Sequence, residues 1–167
     1  MYSPKYHIEE NQETLQNVMR EHGWAILVGS VEGTPFATHL PFMLDETRGE
    51  QGVLVSHMAK ANPHWQSFAG DQEALVIFWG PHAYISPSWY DKQPSVPTWN
   101  YVTVHAYGAP RLIDDEVAML AAQKNLVETY EGAEGWQLED KPDKFIKGML
   151  TGIDCFEIDI TSLEGKF

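Results

Sequence analysis

A lysine and an asparagine stand where a strand gives way to a helix in the segment SHMAKANPHW (56–65). The apolar run Val53–Met58 predicts the strand, and Asn62 followed by Pro63 is typical of a helix start. The first backbone N–H groups of a helix and a lysine ammonium both attract anions. Lys60 and Asn62 therefore predict a phosphate-binding site. The alternative is a capped helix beside a solvated lysine.

The segment PTWNYVTVHAYG (97–108) is the second candidate site. Its aromatic side chains can stack on a planar ring, and the amide of Asn100 can hydrogen-bond to the edge of that ring. A flavin needs these features together with a phosphate clamp. The alternative is that Trp99, Tyr101 and Tyr107 pack in the core or in a dimer interface.

The seven histidines and the single cysteine lack the spacing of a metal site. The sequence has no HExxH motif and no histidine pair four residues apart on a predicted helix, and Cys155 alone cannot form a cysteine-rich zinc site or an internal disulfide. We therefore expect no bound metal. No serine lies in a GxSxG elbow, and neither a GxGxxG motif nor a P-loop is present. The candidates for proton transfer are His82, Tyr84 and His105.

Net charge and hydropathy restrict the partners of the chain. The 167 residues include 11 basic and 24 acidic side chains, which gives a net charge of −13. Such a charge repels a polyanion and disfavours direct DNA binding. A length of 167 residues with 43% hydrophobic residues predicts one globular domain, 1–167. The sequence has no apolar run of about 18 residues that could span a membrane. One cysteine and no signal-peptide core predict a cytoplasmic protein.

Helix caps and apolar periodicity predict the elements that position these residues. Helices are expected over Asn11–Glu21, from Asp114 or Asp115 to Tyr130, over Asp143–Leu150 and, as a short helix, over Asn62–Gly70. Strands are expected over six runs: Trp24–Val31, Phe36–Leu44, Val53–Met58, Glu73–Gly80 with both faces buried, Trp99–Leu112 and Cys155–Ile160. The segment GPHAYISPSWYDKQPSVPTW (80–99) is expected to add a seventh, short strand followed by a long surface loop. Short turns join most neighbours, so we predict an α+β fold, a mainly antiparallel barrel with three or four peripheral helices.

Five segments occur in the order found in a known family: ATHLPFMLD, SHMAKANPHW, EALVIFWGPHAYISPSWY, VPTWNYVTVHAYG and LEGK. On these segments the chain resembles the PaiB-like family of FMN-binding split-barrel proteins, often described as negative transcriptional regulators. The resemblance extends from Met1 to Lys166. It implies a split β-barrel that works as a homodimer, with FMN in a groove between the subunits.

The resemblance also implies which residues bind FMN. They are Lys60 and Asn62 near the phosphate, His57 and Ser56 at the end of the same strand, Trp99 and Asn100 against the flavin from the same or the neighbouring subunit, and Thr38 and His39 on the strand that lines the groove. Position 60 is often arginine in this family. A lysine there replaces a bidentate guanidinium with a point charge.

The leading interpretation is an FMN-binding split-barrel protein of the PaiB-like transcriptional regulator type. One alternative is a flavin-dependent oxidoreductase or reductase that acts on a small molecule. The other is a binding or sensor protein whose flavin pocket is empty. No residue type stands out as a dedicated acid or base, so the sequence leaves enzymatic activity open. Turnover with a reduced nicotinamide separates the enzyme from the sensor.

Overall fold

Two antiparallel sheets make up the computed structural model, which describes residues 1–68, 70, 72–132 and 134–167. The described residues form these strands: β1 (Ile8–Glu9), β2 (Trp24–Val31), β3 (Thr34–Pro41), β4 (Met43–Asp45), β5 (Val53–Ala59), β6 (Ala74–Ile85), β7 (Thr98–Gly108), β8 (Pro110–Ile113), β9 (Ile153–Asp159) and β10 (Ser162–Lys166). The larger sheet has the order β1-β10-β7-β6-β2-β3, and the smaller has the order β4-β5-β9-β8.

Within the described ranges, three α-helices and three short 3-10 helices accompany the sheets. They are α1 (Gln12–Glu21), α2 (Glu116–Glu131) and α3 (Asp143–Leu150), with 3-10 helices at Lys5–His7, Pro63–Phe68 and Pro87–Trp89. The side chain of Asn11 accepts a hydrogen bond from the Thr14 N–H at 2.9 Å, and Asp115 accepts one from the Ala118 N–H at 2.8 Å. Both caps satisfy free N–H groups at the first turn. None of the helices in the described ranges is long and apolar enough to cross a membrane.

One hydrophobic core joins the two sheets. Phe42, between β3 and β4, packs its ring edgewise against Phe78 of the larger sheet and Phe156 of the smaller sheet, with centroid separations of 6.1 and 5.9 Å. Phe78 and Phe156 are fully buried. Burial of such a side chain contributes about 1.5–3 kcal/mol to folding. The core therefore fixes the relative position of the two sheets.

The predicted α+β class with mainly antiparallel sheets is confirmed, and the two sheets do not close into one barrel. Three strand predictions were wrong in detail. The predicted strand Phe36–Leu44 is two strands, because the chain leaves the larger sheet after Pro41 and enters the smaller one at Met43. The predicted strand Trp99–Leu112 is two strands, because the chain leaves the larger sheet after Gly108 and enters the smaller one at Pro110. A Cβ at position 108 would overlap the carbonyl oxygen of Asp159, so the crossing requires glycine.

Strand β6 was predicted to be buried on both faces and to end at Gly80. In the structure its buried and partly buried residues alternate up to Phe78. The short strand predicted after Gly80 is not separate, because β6 continues to Ile85 as an exposed extension. The register shifts between Trp79 and His82, after which the extension pairs with the start of β7. The predicted short helix is the 3-10 helix Pro63–Phe68, and Ala69, within the predicted range, lies outside the described residues.

Candidate functional site

The turn after β5 carries the first candidate group. The Lys60 N–H donates to the Gly152 carbonyl oxygen at 2.9 Å, and the Asn62 N–H donates to the Ala59 carbonyl oxygen at 2.8 Å. These bonds fix the backbone from Lys60 to Asn62. The Lys60 side chain is 66% exposed, and its ammonium lies 3.9 Å from the carboxylate of Asp154. At this separation the pair is weak, and the ammonium can approach a second anion.

Thr38, Asn62 and His64 form a closed hydrogen-bonded group. The Asn62 amide Nδ2 donates to Thr38 Oγ1 at 3.2 Å, and Thr38 Oγ1 lies 2.8 Å from His64 Nδ1. The backbone N–H of His64 donates to Asn62 Oδ1 at 3.0 Å. The group joins β3 to the start of the 3-10 helix Pro63–Phe68. The side chains of Thr38 and Asn62 each have two partners, and the His64 ring is fixed by its bond to Thr38 and by complete burial, so all three are held in one orientation.

Ser56 and His57 lie on β5 just before the turn. The Ser56 hydroxyl is buried and donates to the Pro41 carbonyl oxygen at 2.7 Å, so it connects β5 to the end of β3. His57 is half-buried opposite Cys155 of β9, and desolvation lowers its pKa. His39 is exposed, and it points away from Thr38 because consecutive residues of a strand face opposite sides.

The β6–β7 hairpin carries the second candidate group, which we call the aromatic arm: Trp79, His82, Tyr84, Trp99 and Tyr101. Trp79 Nε1 donates to His82 Nδ1 at 3.1 Å, and the rings of His82 and Trp99 lie 6.4 Å apart. Tyr84 meets Trp99 edgewise at 5.8 Å. An open cleft of about 800 Å³ runs beside these rings, and its lining includes His82, Trp99, Asn100, Tyr101 and Lys166.

Within one chain the two groups lie apart. The strand registers place His39, Ile26, Ile77 and His105 side by side across the larger sheet. Trp99 lies six residues before His105 on β7, and six residues of an extended strand span roughly 20 Å. The aromatic arm is therefore far from Thr38, which is next to His39 on β3. Among the residues that the structure describes, no hydrogen bond or ring contact joins Trp99 or Asn100 to Lys60, Thr38 or Asn62.

The candidates for proton transfer differ in environment. His82 Nδ1 already accepts the Trp79 N–H, and Tyr84 is exposed at the arm. His105 Nδ1 is buried with no hydrogen-bond partner in the described ranges. Burial lowers the pKa of His105, with a smaller contribution from the positive N-terminus, while Glu164 acts in the opposite direction. His105 is therefore neutral near pH 7.

Sequence reasoning missed two residues of the first group. His64 enters the sequence argument only as one of the seven histidines without metal-site spacing, although Asn62-Pro63 before it is typical of a side-chain-capped turn, which was the available signal. Asp154 gave no signal, because its position beside Lys60 depends on the pairing of β5 with β9. Among the described residues no cluster of three or more histidine, cysteine, aspartate or glutamate side chains could hold a metal ion.

The sequence of this chain matches a known protein family. Residues 1–162 match the family described as "Putative FMN-binding domain". The chain belongs to this family. FMN is the family's cofactor, as the sequence predicted. The protease synthase and sporulation protein PAI 2 of Bacillus subtilis is 36% identical over 170 residues, covering 100% of this chain and 80% of that protein.

Solved structures share the fold at low sequence identity. The flavocytochrome Anf3 from Azotobacter vinelandii matches with a TM-score of 0.76 and 18% identity, over 99% of this chain and 72% of that one. The FAD and heme binding protein from Mycobacterium smegmatis matches with a TM-score of 0.68 and 14% identity, over 96% and 73% of the two chains. These similarities establish the fold alone.

Proposed function

We propose that this protein binds FMN as a homodimer. Lys60, Thr38 and Asn62 of one subunit hold the phosphate, and Trp99 and Asn100 of the other subunit lie against the flavin ring. The observation that carries the proposal is the separation of the two groups within one chain. The turn after β5 offers polar donors without a flat apolar surface, and the aromatic arm offers that surface, so a two-fold dimer completes the site.

The donor chemistry of the turn fits a phosphate monoester. An exposed ammonium, a hydroxyl and a carboxamide are grouped around a fixed backbone, and phosphate oxygens accept hydrogen bonds from all three. One compact anion site suits a mononucleotide better than a dinucleotide. Ser56 and His57 support this turn from the preceding strand, and we propose no direct phosphate contact for His39. When bound, FMN supplies one- and two-electron transfer chemistry.

Substitution of Lys60 tests the phosphate site. Lys60→Ala is expected to weaken FMN about tenfold or more and to change riboflavin affinity little, because a charge-assisted contact is worth about 1.5–3 kcal/mol only when the phosphate is present. Fluorescence quenching by the apoprotein measures both affinities. Lys144→Ala, at the exposed start of α3, is the matched control. Equal losses for the two flavins would remove Lys60 from the phosphate.

The exposed rings of the aromatic arm support the dimer. Trp79 is 57% and Trp99 is 59% exposed in the single chain, and aromatic residues are enriched in the buried centre of interfaces. We expect sedimentation at twice the monomer mass at micromolar concentration. Trp99→Glu is expected to shift the protein to monomer and to abolish FMN binding. Trp136→Glu, in the segment between α2 and α3, is expected to leave the dimer and FMN binding unchanged. A monomeric unsubstituted protein contradicts the proposal.

We further propose that the flavoprotein acts in the cytoplasm as a regulator of the PaiB-like type without touching DNA itself. The buried free thiol of Cys155 agrees with a reducing compartment.

The second candidate function is reduction of a small molecule by the flavin, which the open cleft beside His82 and Trp99 favours. Steady-state oxidation of NADH or NADPH with quinone or nitroaromatic acceptors decides between them. An absorption spectrum without a flavin band, on protein also unable to bind added FMN, contradicts both.

A further inference from the structure

The ring of His64 is a fully buried polar group packed on several sides. It is 0% exposed, and its ring centroid lies 5.2 Å from that of Phe36 and 6.1 Å from that of Phe68. A Cβ added at Gly29 would lie 2.7 Å from His64 Nε2, so β2 closes the far side of the ring. The imidazole has no room to turn, and its Nδ1 faces the Thr38 hydroxyl.

The hydrogen-bonding partners decide where the proton of this ring lies. His64 is neutral near pH 7, since desolvation lowers its pKa, and a neutral imidazole has one N–H. Nε2 has no hydrogen-bond partner among the described residues. A buried N–H without an acceptor is rarer than a buried acceptor without a donor. The proton therefore lies on Nδ1, which donates to Thr38 Oγ1.

This assignment determines what the Thr38 hydroxyl can do. Its oxygen accepts one hydrogen bond from Asn62 Nδ2 and one from His64 Nδ1, which uses both lone pairs. Its own proton then points away from both partners and can only be donated. A group that is solely an acceptor suits this fixed donor, and the oxygens of a phosphate dianion are such a group.

We infer that Thr38 donates a hydrogen bond to the phosphate and that His64 is the positioning residue that makes Thr38 a donor. His64 itself touches no ligand atom. This inference rests on the proposed FMN site and specifies its selectivity: the turn after β5 selects phosphate monoesters over the corresponding alcohols. A free hydroxyl group can take part in either direction, but it gains no charge-assisted bond from Thr38.

The test measures one ratio, the dissociation constant of riboflavin divided by that of FMN, in each variant of the full-length protein. Only the folded protein binds either ligand, so a general loss of stability weakens both affinities by the same factor. It therefore cancels in the ratio. Thr38→Val is expected to lower the ratio about tenfold, and Thr38→Ser is expected to hold it within about threefold. His64→Gln, which moves the amide to the Nε2 position, is expected to lower the ratio as Thr38→Val does. His64→Asn, which places an N–H near Nδ1, retains it.

A double variant separates positioning from direct contact. In Thr38→Val the hydroxyl is gone, so adding His64→Gln is expected to lower the ratio no further. Full additivity would overturn the inference, because His64 would then act without Thr38. An unchanged ratio in His64→Gln would also overturn it while leaving the FMN site intact. An unsubstituted protein that shows no preference for FMN over riboflavin overturns the phosphate site and this inference together.

Discussion

The ammonium of Lys60 lies 3.9 Å from the carboxylate of Asp154, across the ends of two neighbouring strands. Asp154 stands opposite Met58 in the pairing of β5 with β9, and its side chain is largely buried. The carboxylate attracts the ammonium that we assign to the phosphate, and it repels a phosphate at the same place. We therefore expect Asp154 to compete with the proposed phosphate for the ammonium.

Removal of this carboxylate is expected to strengthen FMN binding. Asp154→Asn keeps the shape of the side chain and removes its charge, and the effect of a partly exposed pair is about 0.2–1 kcal/mol, or up to about fivefold in affinity. Riboflavin is expected to bind with unchanged affinity. Fluorescence titration in low salt measures both, with Asp143→Asn on α3 as the control. Weaker FMN binding would instead show that Asp154 holds Lys60 in place.

Gly29 is expected to tolerate no side chain. A Cβ at this position lies 2.7 Å from His64 Nε2 and 3.0 Å from Ser67 Oγ, and a well-packed site accommodates an added methyl group only by displacing its neighbours. Gly29→Ala should lower the free energy of unfolding by about 1–3 kcal/mol in urea titrations. Gly148→Ala in α3, where no atom lies within 4 Å of the added Cβ, should raise it by about 0.5–1 kcal/mol. A neutral Gly29→Ala would mean that the His64 ring is free to move.

The burial of His57 predicts a loss of stability in mild acid. Desolvation lowers its pKa in the fold, whereas in the unfolded chain the pKa is about 6.5. Below that pH the unfolded chain takes up a proton that the folded chain does not, so stability falls as pH falls. His57→Gln is expected to reduce the slope of unfolding free energy between pH 6.5 and 5 by up to about 1.4 kcal/mol per pH unit. The control Val55→Ala, on the same face of β5, should lower the free energy of unfolding by a similar amount at every pH. An unaltered slope in His57→Gln would show that the His57 ring of the unsubstituted protein is solvated.

Local signals predicted the elements of the fold well. Asn11 and Asp115 cap their helices as their residue types indicate, and α3 covers the predicted range Asp143–Leu150. Strand β10 has few apolar residues and was missed, because it is recognisable only beside β7. The start of β8 likewise could not be predicted from local signals. Gly108 and Pro110 were visible in the sequence, but the change of sheet depends on the approach of β9.

The site was less predictable than the fold because it depends on contacts between distant segments. Lys60 and Asn62 could be proposed from one segment, since the turn and its chemistry are local. The bond from Asn62 to Thr38 joins β3 to the 3-10 helix, and no local pattern shows it. Trp99 could be selected as a flavin-stacking candidate, but its distance from Lys60 within the chain follows from the strand register.

The positive charges of the protein are distributed among acidic partners. Arg48 pairs with Asp45 and Glu157 at 2.8 Å, and Arg111 pairs with the same Glu157 at 3.2 Å. Lys124 lies 2.5 Å from Glu139. Further cations are engaged as well: Arg20 with Glu46, Lys147 with Glu116, and Lys141 over the ring of Trp136. A surface that neutralises several phosphates needs clustered, available cations.

We therefore expect no direct binding of duplex DNA by this 167-residue chain at physiological salt. A net charge of −13 per chain repels a polyanion before contact, and the pairs described above leave little positive surface for the phosphates. Electrophoretic mobility shift with sub-micromolar protein, in about 150 mM salt and with and without FMN, measures this. The charge-altered variant Glu157→Gln, which removes the carboxylate shared by Arg48 and Arg111 and leaves Arg48 paired with Asp45, is expected to show at most salt-sensitive binding without sequence preference. A shift by the unsubstituted protein that survives this salt and depends on DNA sequence would show that a DNA-binding surface exists despite the acidic charge.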